Sequence, residues 1–164
     1  MNMNIKTNLK SFIKSFRYAF VGIISGIKSE RNIRFHLCAA FYVIFFMQFY
    51  DMSTTRKAVV FLVIGAMISL EMINTSIESI VDLCSPDYHP LAQKAKDISA
   101  GAVFCMAITA VVIAVAFFWD IDTFVEICEF FSHNIIAMTA LVISAILWFL
   151  FIFKINIDNK AVEK

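Results

Sequence analysis

Glu71, Asn74, Thr75 and Glu78 stand in the middle of an apolar stretch, residues 58–81, that reads AVVFLVIGAMISLEMINTSIESIV. An ionisable side chain inside a bilayer costs at least ~2.5 kcal/mol on insertion scales, and by default it marks a functional site. At about 100° per residue, Glu71 and Glu78 point within roughly 20° of each other, with Asn74 and Thr75 on their flanks. Asp82 continues the stripe. The spacing predicts a polar line down one side of a lipid-soluble helix.

A second polar group follows a break at Ser85-Pro86-Asp87-Tyr88-His89-Pro90, where two prolines and turn formers end the helix. Glu78 lies about 9 Å before the break and Lys96 about 9 Å beyond it, at 1.5 Å per helical residue. The turn therefore brings Lys96 and Asp97 to the depth of Glu78, and Glu30, at the end of an N-terminal amphipathic segment, reaches the same level. A cluster of Glu30, Glu71, Asn74, Glu78, Lys96 and Asp97 is expected at the inner membrane boundary. Carboxylate and amide oxygens beside one Lys suit Mg²⁺ and the phosphates it carries. A deeper carboxylate shielded from water suits a general base. Phosphoryl transfer asks for positioning, charge neutralisation and an acceptor for the hydroxyl proton. No GxxxxGK[ST] occurs and there are only four glycines, which excludes a P-loop.

Composition alone leaves two other classes open. Intramembrane carboxylates also build proton or ion paths, and a small apolar chain can be a non-enzymatic assembly subunit. An ion path has no use for a Tyr-His-Pro turn leading into Lys-Asp, and an assembly subunit has no reason to bear the cost of Glu71. Lys96 and Asp97 also fit the solvated start of a helix. Tyr18 and Tyr88 fit interfacial anchoring. His36 and His89 each stand alone and read as packing or surface residues. The Phe-rich segments, with 18 Phe in the chain, read as lipid-facing bulk.

The elements that must position these groups are helices in a membrane. The 164-residue chain is 60% hydrophobic and 16% charged, with a mean hydropathy of +0.79, which excludes a soluble globule. Residues 5–28 carry Ile5, Leu9, Phe12, Ile13, Phe16, Phe20, Ile23, Ile24 and Ile27 at three- and four-residue steps. Lys6, Lys10, Lys14 and Arg17 lie on the other side, the pattern of an amphipathic helix in the membrane surface. Spans are predicted at 35–50, 58–83, 98–118 and 135–153; about 20 helical residues cross a hydrocarbon core. Cationic residues crowd the N-terminal arm, the 85–97 turn and the tail after Phe153. The opposite side carries Arg56 and Lys57, and the 119–133 loop has none. Both termini, the turn and hence the site are thus expected on the cytoplasmic side of a multi-pass protein of the cell membrane. That loop, with Asp120, Asp122, Glu126 and Glu129, faces outwards. Cys38, Cys84, Cys105 and Cys128 lack metal or disulfide spacing and read as small apolar residues. The first 34 residues lack the apolar core of a cleavable signal peptide.

The motifs resemble one family. Phe16-Arg17-Tyr18-Ala19-Phe20-x-Gly22, Glu30-x-Asn32-x-Arg34, Glu71-x-x-Asn74-Thr75-x-Ile77-Glu78 and Val81-Asp82-Leu83 look like the small prokaryotic diacylglycerol kinases. Tyr88-His89-Pro90-Leu91-Ala92, then Ala95-Lys96-Asp97-x-x-Ala100-Gly101-Ala102-Val103, complete the match, and His-Pro-Leu-Ala is more similar to the undecaprenol kinase branch. The resemblance implies an ATP-dependent, Mg²⁺-requiring lipid kinase, all-α, built as a surface helix and a three-helix transmembrane core. Family members are homotrimers with sites shared between subunits. It implies that Glu71 is the base for the lipid hydroxyl, that Glu30 and Glu78 hold the metal, and that Tyr18, Asp87, Tyr88, His89, Lys96 and Asp97 hold the nucleotide. Asn74 and Ala100 would meet the lipid acceptor, undecaprenol or, alternatively, diacylglycerol. Two features depart from the pattern: Gln93 stands where a Lys is common, and residues 120–164 add an outer loop, a fourth span and a basic tail. The chain thus divides into a kinase-like domain at 1–119 and an extension at 120–164, expected to be an accessory or assembly helix that takes no part in transfer.

Overall fold

The computed structural model describes the backbone of residues 5–162 and the side chains of residues 11–153. Among the described residues the chain forms helices α1 (Ile5–Ser29), α2 (Arg31–Phe46, extended by a 3-10 turn at Met47–Phe49), α3 (Thr54–Cys84), α4 (Pro90–Phe118), α5 (Ile121–His133) and α6 (Ile135–Val162). Four segments are long and apolar enough to cross a membrane: Arg31–Phe49, Thr54–Cys84, Pro90–Phe118 and Ile135–Phe153. The protein is an all-helical, multi-pass membrane protein.

Local sequence sets the helix starts. Ser53 Oγ accepts from the Arg56 amide at 3.4 Å, so α3 begins before the predicted boundary at 58. His89 Nδ1 accepts from the Leu91 amide at 3.2 Å and Pro90 takes the first helical position, so the helix of the third span starts well before 98. Asp120 Oδ1 and Asn134 Oδ1 cap α5 and α6 in the same way, at 3.1 and 3.0 Å. The first span begins at Arg31, the start that the short 35–50 segment needs if it is to cross a membrane.

No proline or glycine occupies the break between α1 and α2. Glu30 there is extended, at φ −105° and ψ 119°. The last carbonyls of a helix have no partner within it, and a cation beside them is favoured by the helix dipole. Arg34, which is 0% exposed, supplies both needs: Nη1 donates to the Ile27 carbonyl at 2.8 Å and to the Lys28 carbonyl at 2.9 Å. Gly26 completes the elbow, since a Cβ there would lie 3.0 Å from Ile33 Cδ1.

α3 and α4 form a helical hairpin closed by the 85–89 turn, and α2 packs along α3. α6 lies on α2. The Tyr42 hydroxyl meets Ser144 Oγ at 3.0 Å; Ser144 donates to the Leu141 carbonyl, so Tyr42 is the donor. The Phe41 and Trp148 rings lie 5.7 Å apart, and Arg34 Nε and Nη2 donate to the Ile152 carbonyl at 3.2 and 3.1 Å. Falling numbers on α2 meet rising numbers on α6, so the two helices run antiparallel.

The segment expected as an outer loop at 119–133 is a helix. Thr123, Ile127 and Phe131, four residues apart, put one face of α5 inwards. Phe131 is 6% exposed and meets Phe46 and Phe49 with centroids 6.3 Å apart, while Phe130 meets Phe49 at 5.4 Å. Phe46, Phe49 and Phe131 are therefore packing anchors and not lipid-facing bulk, whereas Phe130 stays exposed. Beside them Met47, Met52 and Val60 form a buried cluster with Tyr50, whose hydroxyl donates to the Phe118 carbonyl at 3.1 Å.

Phe131→Ala should therefore destabilise the protein by about 3 kcal/mol, read as a lower thermal midpoint in detergent. Phe124→Ala, at a position 62% exposed, should leave the midpoint unchanged. Equal midpoints for the two variants would refute the anchoring role of α5.

Candidate active site

Two polar groups form where α3 and α4 meet. The deeper one starts at Glu71, which is 3% exposed. Thr75 Oγ1 donates to the Glu71 carbonyl at 3.1 Å, satisfying its hydroxyl within the helix. Asn74, also buried, uses both ends of its amide: Nδ2 donates to Glu78 Oε1 at 3.0 Å, and Oδ1 accepts from Ser99 Oγ at 2.6 Å. Ser99 Oγ also lies 2.9 Å from the Lys96 carbonyl; one hydroxyl proton serves one acceptor, and the shorter contact is to Asn74. The amide is thus fixed, and it holds one oxygen of Glu78. Ser99 was not among the predicted residues. The available signal was its place one turn beyond Lys96, on the face of α4 turned to α3.

The second group surrounds the turn. Lys96 pairs with Asp82 across the hairpin. The pair is partly exposed, where such bridges contribute ~0–1 kcal/mol, so its main effect is to hold the ammonium in place. A cavity of about 180 Å³ opens beside it, with Asp82, Asp87, Tyr88, His89, Gln93 and Lys96 in its wall. Ser85 Oγ donates to the Asp87 carbonyl at 3.0 Å and shapes the turn, while His89 caps α4. Four of the expected nucleotide residues thus share one polar cup.

The single cluster expected from the sequence is split. Lys96 and Asp97 diverge by about 100° on the helix, so both cannot face α3. Asp97 is exposed and accepts from Gln93 Nε2 at 2.7 Å, one turn back on its own helix. Glu30 is half-buried at the α1–α2 elbow, and Ala100 is exposed next to Ser99. Tyr18 is exposed on α1, with the Lys14 ammonium 5.6 Å from its ring centroid. None of these four joins the two groups within one chain.

An apolar cavity of about 180 Å³ lies between α2, α3 and α4, lined by residues such as Val60, Ile64, Met67 and Ala107 and carrying His36 in its wall. His36 is half-buried in the wall of this cavity, as expected of a packing residue.

A carboxylate buried in the spans, an oriented amide–carboxylate pair one turn below it and a polar cup with a fixed ammonium form a graded path from lipid depth to water. Residues 17–118 match the sequence profile of the family described as Prokaryotic diacylglycerol kinase. The chain is 41% identical over 113 residues to an undecaprenol kinase of Bacillus subtilis (strain 168), covering 69% of this chain and 92% of that protein. It is 38% identical over 104 residues to a diacylglycerol kinase of Synechocystis, covering 63% of this chain and 59% of the other. The diacylglycerol kinase of Escherichia coli (strain K12) is 24% identical over 117 residues, 71% of this chain and 96% of that one. Both polar groups fall inside the matched region, which ends with α4. The chain belongs to the prokaryotic diacylglycerol kinase family of lipid kinases.

Proposed function

We propose that this lipid kinase transfers the γ-phosphate of ATP to the hydroxyl of undecaprenol, giving undecaprenyl phosphate, at the cytoplasmic face of the cell membrane. The observation that carries the reading is Glu71, a buried carboxylate one helical turn from the Asn74–Glu78 pair and above the Lys96 cup. A lipid hydroxyl reaches the site from the membrane side and a water-soluble phosphate donor from the other.

In this reading Glu71 accepts the hydroxyl proton as the lipid oxygen bonds to the γ-phosphorus and the bond to ADP breaks. Asn74, locked between Ser99 and Glu78, orients the acceptor, and Ala100 leaves room for its head. Glu78 and Glu30 are the carboxylates that hold the metal. Lys96 neutralises phosphate charge, and Asp87, Tyr88, His89 and Asp97 line the nucleotide site, with Tyr18 closing over it. Glu78 and Glu30 would hold Mg²⁺ with ATP, and the ion would supply charge neutralisation for the transferring phosphoryl group. The donor set fits this ion, because Mg²⁺ usually takes one or two carboxylates and completes its shell with water and phosphate oxygens. Among the described residues no three His, Cys, Asp or Glu side chains form a cage of their own.

Tyr18, Glu30 and Asp97 lie outside the two groups of a single chain, so the site would be completed by a second copy, in the homotrimer that the family resemblance implies. Exposed Phe12, Phe16 and Phe20 along α1, with Lys14 and Arg17 away from them, support a helix lying in the membrane surface. The undecaprenol assignment rests on the Bacillus relative. Diacylglycerol, named for the other relatives, is the second reading. Purified protein in detergent with Mg-ATP should phosphorylate undecaprenol with the higher kcat/KM. The reverse order would establish diacylglycerol as acceptor, and transfer to neither would overturn the proposal.

Glu71→Gln should lower transfer by ~10²–10⁴-fold with nucleotide binding retained, as expected for loss of a general base. Near-normal turnover would remove Glu71 from this role. Glu30→Gln and Glu78→Gln should each raise the Mg²⁺ concentration needed for half-maximal rate. Oligomers mixed from these two variants should regain part of the activity; no recovery, with mixing verified, would mean a site within one chain. Ser99→Ala should lower kcat about tenfold, equivalent to about 1.4 kcal/mol of lost orientation, with KM for ATP little changed. Steady-state kinetics check this, and an unaltered kcat would dismiss the Ser99–Asn74 contact as a contributor.

A further inference from the structure

Arg34 is fully buried, yet it belongs to neither polar group. A buried charge is tolerated where hydrogen bonds surround it, and a guanidinium presents five donors in a planar fork. Here the fork joins three helices. One arm closes the end of α1 at the Ile27 and Lys28 carbonyls, and the other reaches the Ile152 carbonyl of α6. The Arg34 backbone opens α2, its amide 3.4 Å from the Glu30 carbonyl.

Glu30 is the residue between these helices. Its amide donates to the Gly26 carbonyl at 2.9 Å, and its extended backbone is the point at which α1 gives way to α2. α6 touches the elbow a second time, where the Arg31 guanidinium lies 5.9 Å from the centroid of Phe153. Arg31 and Arg34, both on the α2 side of the break that holds Glu30, are therefore tied to one turn of α6, and Arg34 carries that tie on to the Ile27 and Lys28 carbonyls at the end of α1. Gly26 lets Ile33 pack against the end of α1, because a Cβ there would lie 3.0 Å from Ile33 Cδ1.

We infer that Arg34 is a positioning residue for Glu30, and that α6, through the Ile152 carbonyl and Phe153, is the second support that sets this carboxylate for the metal. The inference rests on the reading of Glu30 as a metal-holding residue. It replaces the expectation that the extension takes no part in transfer: α6 contributes no side chain to the chemistry and acts on the placement of one that does.

The test uses the full-length protein in detergent and Mn²⁺ as a spectroscopic probe, titrated by electron paramagnetic resonance in the presence of ADP. The double variant Ile152→Ala/Phe153→Ala loosens the α6 support and leaves the guanidinium in place. Arg34→Lys keeps the charge and loses the fork. Each should weaken Mn²⁺ binding by roughly tenfold, the scale for loss of a group that orients a metal ligand. The Mg²⁺ concentration for half-maximal rate should rise in parallel, with kcat at saturating Mg²⁺ near that of the unaltered protein. Combining the changes should give less than the sum of their shifts, because both act through one elbow. A lower thermal midpoint with unchanged Mn²⁺ binding in the α6 variant would overturn the inference, and that variant decides if Arg34→Lys fails to fold. Glu30→Gln separates the two levels. If it leaves Mn²⁺ binding intact, the metal role of Glu30 falls and the inference with it. If it weakens binding while the α6 variant does not, the positioning role alone falls.

Discussion

Lipid offers no hydrogen bonds, so every polar group carried into the spans must find its partners within the protein. That constraint organises the rest of the molecule. Thr75, Ser76 and Ser79 turn their hydroxyls back to carbonyls of their own helix. Asn74 cannot be satisfied that way, because its amide has both donors and an acceptor to place. It draws Glu78 from its own helix and Ser99 from α4, and so fixes the register of the hairpin. Among the described residues no buried side-chain nitrogen or oxygen is left without a partner. The same demand explains Arg34, whose fork donates to main-chain carbonyls of two other helices.

The arrangement also separates two environments over a short distance. Glu71 is enclosed among the spans, Glu78 is held halfway, and Asp82 and Lys96 reach water. A reaction between a lipid alcohol and a soluble phosphate donor needs such a gradient. In the proposed reaction the proton would leave on the enclosed side, where water competes least, and the charged phosphates would stay where desolvation is least costly.

Much of this was legible in the sequence because two periodicities coincide. The apolar run of α3 and the seven-residue step from Glu71 to Glu78 both follow helical geometry, so the stripe and its helix were found together. The Pro-bounded turn then fixed the hairpin, and with it the approach of Lys96 to α3. Failures came where a residue had more than one place to go. Nothing in the chain alone shows that Asp82 takes Lys96, or that Asp97 turns to Gln93. Ser99 looks like any serine near a helix start until Asn74 is seen opposite. The 119–133 segment reads as a loop because it joins two predicted spans, although Thr123, Ile127 and Phe131 already mark an inward face. Arg34 was legible as part of a motif, but its partners are main-chain carbonyls, and one of them lies far along the sequence.

The antiparallel seat of α6 on α2 has a consequence for how copies of this chain can approach each other. Tyr42–Ser144, Phe41–Trp148 and Arg34–Ile152 occupy one flank of α2 along most of its length. A three-span chain would leave that flank open to a neighbour; here it is already occupied. The outward side of α4 stays unobstructed, with Phe104, Ile108, Val111, Val112 and Val115 all exposed. The extension thus covers one flank of α2 and leaves the outward face of α4 uncovered.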